Sequence, residues 1–261
     1  MPPTRGFGVA GALAADIVRQ LAPAAEAAGY ATFWTNDTPD GDGLAALREA
    51  AAVTERIGLG VGVIPLDRQN PEAIAARIAK LGLPEDRLTV GVGSGAAGGG
   101  LARVREGAIA LRGMTGARVV VGALGPRMTE LAGEVADGVL LNWLTPSYAE
   151  GSVAATRKAA AGAGRPTPLV AGYVRVALGD PARHRLAAEA VRYEGYPAYA
   201  AHFARMGAGA LATTVTADDP TAIAPALAAY AHFDETVVRA IAAEDTAAAY
   251  LALLHAASPR I

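Results

Sequence analysis

The chain has no cysteine. That excludes disulfides, thiolate zinc sites and thiol catalysis, and it fits a reducing compartment, so the cytoplasm is the expected location. Aromatic residues are scarce, at 5%, and the helices are built largely on alanine, which favours close packing of helix on sheet. No apolar run is long enough to cross a bilayer. The formal net charge of −2 gives no footing for nucleic acid or an anionic membrane. The opening MPPTRGFGVAGALAADIV has a single Arg and no apolar stretch followed by a cleavage site, so no signal peptide is expected. The four histidines, His184, His202, His232 and His255, show neither HxH nor HExxH spacing, and no metal site is expected. There is no GxSxG elbow and no Walker loop. Chemistry carried by a bound cofactor is therefore a better expectation than a side-chain triad.

What is present is a globular composition, 52% hydrophobic and 18% charged, and an alternation of strand and helix patterns. Strands are predicted at Gly6–Gly11, Tyr30–Thr35, Ile57–Ile64, Leu88–Gly93, Arg118–Val121, Val139–Leu141, Leu169–Ala177 and Glu235–Ile241. Helices are predicted between them, with Pro71 and Pro126 at helix starts and Gly29 past a helix end. The stretch from Pro181 to Phe233 reads as mostly helical. Such alternation implies a parallel sheet with right-handed crossovers. Eight strands in 261 residues point to a (β/α)8 barrel, read as one domain over residues 1–261. An open doubly wound sheet is the rival, but GVAGAL at its first turn is a poor phosphate fingerprint.

In a barrel the site lies at the C-terminal ends of the strands. Asn36 and Asp37 follow strand two, and Pro65, Asp67 and Arg68 follow strand three. Ser94 and Gly95 follow strand four, Gly125-Pro126-Arg127 strand five, and Asn142-Trp143 strand six. Each has a plain reading as well: Asn36-Asp37-Thr38 is an ordinary turn signal, Asp67 and Arg68 a surface pair, and Ser94 part of a flexible loop. The segment GALGPRMTELAGEVADGVLLN, Gly122–Asn142, is strand, glycine turn, helix and strand. Its turn aims free N–H groups at whatever lies above the sheet, as phosphate sites do. Gly58, Gly60 and Gly62 weaken strand three and suggest clearance for a ligand ring lying flat on it.

Four segments together resemble the luciferase-like monooxygenase superfamily: AEAAGYATFWTND (Ala25–Asp37), TERIGLGVGVIPLDRQNP (Thr54–Pro71), RLTVGVGSG (Arg87–Gly95) and ALGPRMTELAGEVADGVLLNWLTP (Ala123–Pro146). The last is most like methylenetetrahydromethanopterin reductases and other enzymes that use the deazaflavin coenzyme F-420. The resemblance runs from Gly6 to Pro146 and continues more weakly to the end, in a chain somewhat shortened between Ala96 and Gly116. It implies a luciferase-like TIM barrel and hydride transfer at C5 of coenzyme F-420, or at N5 of FMN as the alternative, to or from a small organic substrate. It also implies a cis peptide at Gly62–Val63 backing the ring and Ser94 and Gly95 near the cofactor. A phosphate loop follows from it at Ala123, Gly125, Pro126, Arg127 and Met128, with Asn142 and Trp143 on its far side. Homodimers are common in that superfamily. Sugar-phosphate dehydrogenases of this branch carry Asp-His after strand two and Glu after the Thr-Gly of strand four. Here Asn36-Asp37 and Ser94-Gly95-Ala96 stand instead, which argues against sugar-phosphate oxidation and leaves Asn36 and Asp37 as the catalytic candidates. A cofactor-binding protein without turnover, an FMN-dependent monooxygenase and an unrelated phosphate-binding barrel are the alternative readings.

Overall fold

The computed structural model describes residues 3–96 and 98–259. Strand and helix alternate as β1 (Thr4–Val9), α1 (Ala15–Ala27), β2 (Thr32–Thr35), α2 (Gly43–Ala51), β3 (Gly58–Pro65), α3 (Pro71–Leu81), β4 (Leu88–Gly93), α4 (Gly100–Arg112), β5 (Arg118–Ala123), α5 (Pro126–Val135), β6 (Gly138–Asn142), α6 (Pro146–Gly162) and β7 (Leu169–Leu178). Then follow α7 (Asp180–Glu194), α8 (Pro197–Met206), β8 (Val215–Ala217), α9 (Ile223–Leu227), β9 (Glu235–Ile241) and α10 (Ala247–Ala256). Helix starts follow local chemistry. Asn70 caps α3 and Thr145 caps α6, each with proline in the first turn, and Gly29, at φ 86°, ends the turn after α1.

All pairings between the named strands are parallel. β1 to β6 pair in sequence order, β6 pairs with β7, β7 with β9, and β9 with β1, which closes the ring into the (β/α)8 barrel expected. Two details differ from the sequence reading. The first strand begins at Thr4 because Thr4 and Arg5 pair with Glu235 and Thr236, a polar start that an apolar run does not reveal. β8 emerges from the stretch read as helical. It is a short strand on the outer end of β7 and adds nothing to the ring. No helix among the described residues is long and apolar enough to cross a membrane.

Side chains alternate between the barrel interior and the layer under the helices. The interior holds Trp34, Val120, Leu140, Ala171, Tyr173 and Val237. The Trp34 indole donates to Glu235 Oε1 at 2.9 Å, and burial raises that carboxyl above its ordinary value. Two of the β3 glycines, Gly60 and Gly62, make room for these side chains, while Gly58 faces Thr32 and the Ala31 carbonyl. A Cβ on Gly60 would overlap the Trp34 indole, and one on Gly62 would overlap Leu140. The clearance expected on this strand is there, and Trp34 and Leu140 occupy it at Gly60 and Gly62. Gly60→Ala should therefore cost about 1–3 kcal/mol by overpacking. A double-mutant cycle with Trp34→Phe, read by urea unfolding, should recover about 1 kcal/mol or more; purely additive effects would remove the steric account.

Candidate active site

At the mouth of the barrel the Gly62–Val63 peptide is cis, and the register of β3 against β4 shifts between Val61 and Ile64. The shift turns Val63 inward over neighbouring strands. A Cβ on Gly93 would lie 2.7 Å from Val63 Cγ2, and one on Gly122 would lie 2.6 Å from Val63 Cγ1. Glycine on β4 and β5 thus accommodates the bulge, and Val63 packs on the interior cluster that floors the mouth.

Beside this floor α5 begins. Gly125 is its N-cap and has no side chain to satisfy the first-turn N–H groups, while Pro126 has no N–H to offer. Ala123 is buried at the end of β5, and Met128 packs on the core from the first turn. Arg127 is exposed. The Arg205 guanidinium, from α8, comes within 3.2 Å of where a Cβ on Gly125 would sit. Neither Arg127 nor Arg205 has a carboxylate within ion-pair distance among the described residues. A helix start that is uncapped, with two guanidiniums nearby, presents the kind of field that favours an anion.

On the far side of this loop, Asn142 Oδ1 accepts from Arg175 Nη1 at 2.6 Å. Arg175 also donates to Glu189 Oε1 at 2.8 Å, and its guanidinium lies 3.5 Å above the Trp143 ring. Burial lifts the Glu189 carboxyl, but the charges of Arg175 and Arg239 outweigh it and hold the group below its ordinary value. Trp143 has φ 54°, unusual for a bulky residue, and His202 Nε2 donates to its carbonyl at 2.8 Å. Burial keeps that histidine below its ordinary pKa. The Trp143 ring is 1% exposed, between Arg175, Tyr193 and Phe203. Tyr193 of α7 and Phe203 of α8 pack against this ring.

The β2 end is equally occupied. Asn36 Oδ1 accepts from the Gly11 N–H at 2.8 Å. Asp37 pairs with Arg68 at 2.7 Å and accepts from the Gly43 N–H at 3.4 Å. Burial lifts its carboxyl above the ordinary aspartate value against the pull of those partners. Both candidates are thus engaged in holding loops together. Ser94 Oγ donates to the Gly95 carbonyl at 3.1 Å, Gly95 has φ 69°, and Ala96 N–H donates to Asp67 Oδ2 at 2.8 Å, so this loop folds back onto the end of β3.

A sequence model described as Luciferase-like monooxygenase matches residues 3–105 and 100–258. The chain belongs to that family. Luciferase-like barrels of known structure superpose over nearly its full length. They include a coenzyme F-420-dependent tetrahydromethanopterin reductase from Methanopyrus kandleri (TM-score 0.71, 18% identity, 100% of this chain and 99% of that one). An F-420-dependent secondary alcohol dehydrogenase in complex with an F-420–acetone adduct has a TM-score of 0.75 at 16% identity (100% and 99% covered). The oxygenating constituent of 3,6-diketocamphane monooxygenase from Pseudomonas putida, in complex with FMN, has a TM-score of 0.69 at 16% identity (100% and 98% covered). No curated protein matches the chain.

Within this luciferase-like barrel, Gly62, Val63, Ser94, Gly95, Ala123, Gly125 and Asn142 fall at the ends of the neighbouring strands β3 to β6, as the sequence reading placed them. Arg175, Glu189, Arg205 and Arg239 were missed. For two of them a signal existed: LVAGYVRVAL and ETVVRAI are apolar strands that each carry one arginine at a position where the alternation points inward.

Proposed function

We propose that the chain is an oxidoreductase that binds coenzyme F-420 across the barrel mouth, with FMN as the alternative, and exchanges hydride with a small organic substrate. The observation that carries this reading is the uncapped start of α5 at Gly125 beside Arg205, next to the Val63 bulge. The bound group would supply the hydride chemistry itself. The chain's part is to bind, orient and exclude water. First-turn N–H groups of α5, with Arg127 and Arg205, suit the phosphate; Ala123, Pro126 and Met128 shape that loop, and Asn142 closes its far side under the hold of Arg175. Val63 backs the ring, with Ser94 and Gly95 along its edge. Asn36 and Asp37 fix the β2 end beside the ring, since the bonds each makes leave positioning as their role. A fixed geometry of this kind supplies much of the advantage of a bound reaction.

A second reading, binding without turnover, draws support from the closed packing around Asn36, Asp37 and Trp143. Titration of the purified protein with coenzyme F-420 and with FMN, followed by cofactor fluorescence, tests both. Micromolar or tighter binding of the deazaflavin supports the first reading, and a preference for FMN moves the chain to the alternative. Binding of neither removes the cofactor proposal. Tight binding with no turnover on any substrate screened supports the second reading.

A further inference from the structure

A cavity of about 560 Å³ opens where β1 and β9 meet at the barrel mouth, under α1, α7 and α10. Its size is that of a small-molecule site. Its walls differ in kind. Leu13 and Ile17 form an apolar side, and arginines stand on the other. Three of the charged groups on its walls are already matched: Arg185 and Asp245 pair with each other at 3.0 Å, and Glu189 pairs with Arg175 at 2.8 Å. Arg239 is not. Its Nη1 donates to the Ala240 carbonyl at 2.8 Å, and no carboxylate lies within ion-pair distance of it among the described residues.

Arg239 has a further oddity. It is the register partner of Arg175 on the neighbouring strand, so two guanidiniums leave adjacent strands on the same side, about 5 Å apart at the backbone. One carboxylate, Glu189, faces both, and it is bonded to Arg175. Like charges side by side and partly buried destabilise a fold unless something compensates them. Arg192, also on the cavity wall, adds a positive charge without an ion-pair partner among the described residues. Counting Arg175, four arginines stand here against the two carboxylates Glu189 and Asp245, so the cavity carries a net positive charge.

We propose that this cavity takes the carboxylate of a substrate with an apolar body, Arg239 receiving the anionic group and Leu13 and Ile17 the hydrocarbon. Arginine's planar fork suits a carboxylate. The proposal names the substrate class of the oxidoreductase site and rests on that reading for its role in turnover, but the binding itself is independent of any cofactor.

The test uses the full chain without cofactor, titrated with benzoate and with the neutral analogue benzyl alcohol at constant ionic strength, followed by the thermal midpoint. Benzoate should raise the midpoint saturably, and benzyl alcohol should have no comparable effect. Arg239→Gln should weaken benzoate about tenfold or more, as loss of a charge-assisted bond does. Leu13→Trp, which fills the apolar wall, should weaken it as well and serves if the arginine variant does not fold. Equal benzoate affinity in the wild type and the variants, an equal response to benzyl alcohol, or no response to benzoate would each overturn the proposal. The cofactor titration is run on the same samples. If neither cofactor binds while benzoate still depends on Arg239, the oxidoreductase reading fails and the carboxylate site stands.

Discussion

Gly125→Asp should weaken cofactor binding about 100-fold while leaving the protein folded, and indeed slightly more stable. Gly125 is the N-cap of α5, with φ −114°, a conformation any residue can adopt. Aspartate is among the best N-caps and should contribute about 1 kcal/mol relative to an uncapped start. Its carboxylate would also reach Arg205, whose guanidinium sits 3.2 Å from the new Cβ. The same carboxylate then occupies the space a phosphate needs and repels it. A loss of about 100-fold in affinity, or ~2.7 kcal/mol, is expected. The opposite signs of the two effects make the result informative. A variant with a raised melting point and unchanged cofactor affinity would mean that the α5 start is only a helix start.

Glu189→Gln should be among the most destabilising single changes in the chain. It removes the carboxylate shared by the fields of Arg175 and Arg239, and Arg175 is 4% exposed with Asn142 and Trp143 as its remaining partners. Breaking one side of a buried ion pair costs about 3–5 kcal/mol, which for a barrel of this length lowers Tm by roughly 10 °C. The pH dependence follows from the direction of the shift. The Glu189 carboxyl is held below its ordinary 4.5 in the folded state, so its contribution is complete above that value and is lost as the pH falls through and below it. The glutamine has no proton to take up. The gap between wild type and variant should therefore be widest near neutrality and narrow in acid. A gap that stays constant from pH 7 to pH 3, measured by thermal melting, would remove Glu189 as the charged keystone of this cluster.

What the sequence revealed depended on the range of the forces involved. β4 and β9 match their predicted bounds, since β-branched residues mark both, with glycine ending β4 and Asp234 preceding β9. The proline starts of α3 and α5 are local chemistry and were legible for the same reason. β1 was displaced because its first residues are strand by virtue of a partner more than two hundred residues away. β8 was invisible because three residues carry no period. The site divides in the same way. The loop at Gly125 is written in consecutive letters. Arg205 reaches it from α8, whose position depends on how its His202 and Phe203 pack on Trp143, a contact that no local pattern between residues 126 and 205 announces. The glycines of β3 illustrate the limit from the other side. They announce a close neighbour, but only the folded barrel reveals that the neighbour is Trp34.

The closure of the ring has a consequence for how the chain comes to be folded. β1 pairs on one side with β2, soon after it in the chain, and on the other with β9. The bond from Thr4 to Asp234 at that seam spans a sequence separation of 230. Loop entropy makes such a contact late. During synthesis β1 to β7 can assemble in order, while one edge of β1 and one edge of β7 wait for the same strand. Open parallel edges of this kind are sticky. β9 acts as the stave that makes the cask watertight: it engages both edges at once, and the aggregation hazard ends with its insertion. Substitutions in ETVVRAI are thus expected to lower the yield of soluble protein beyond what their effect on the finished barrel accounts for.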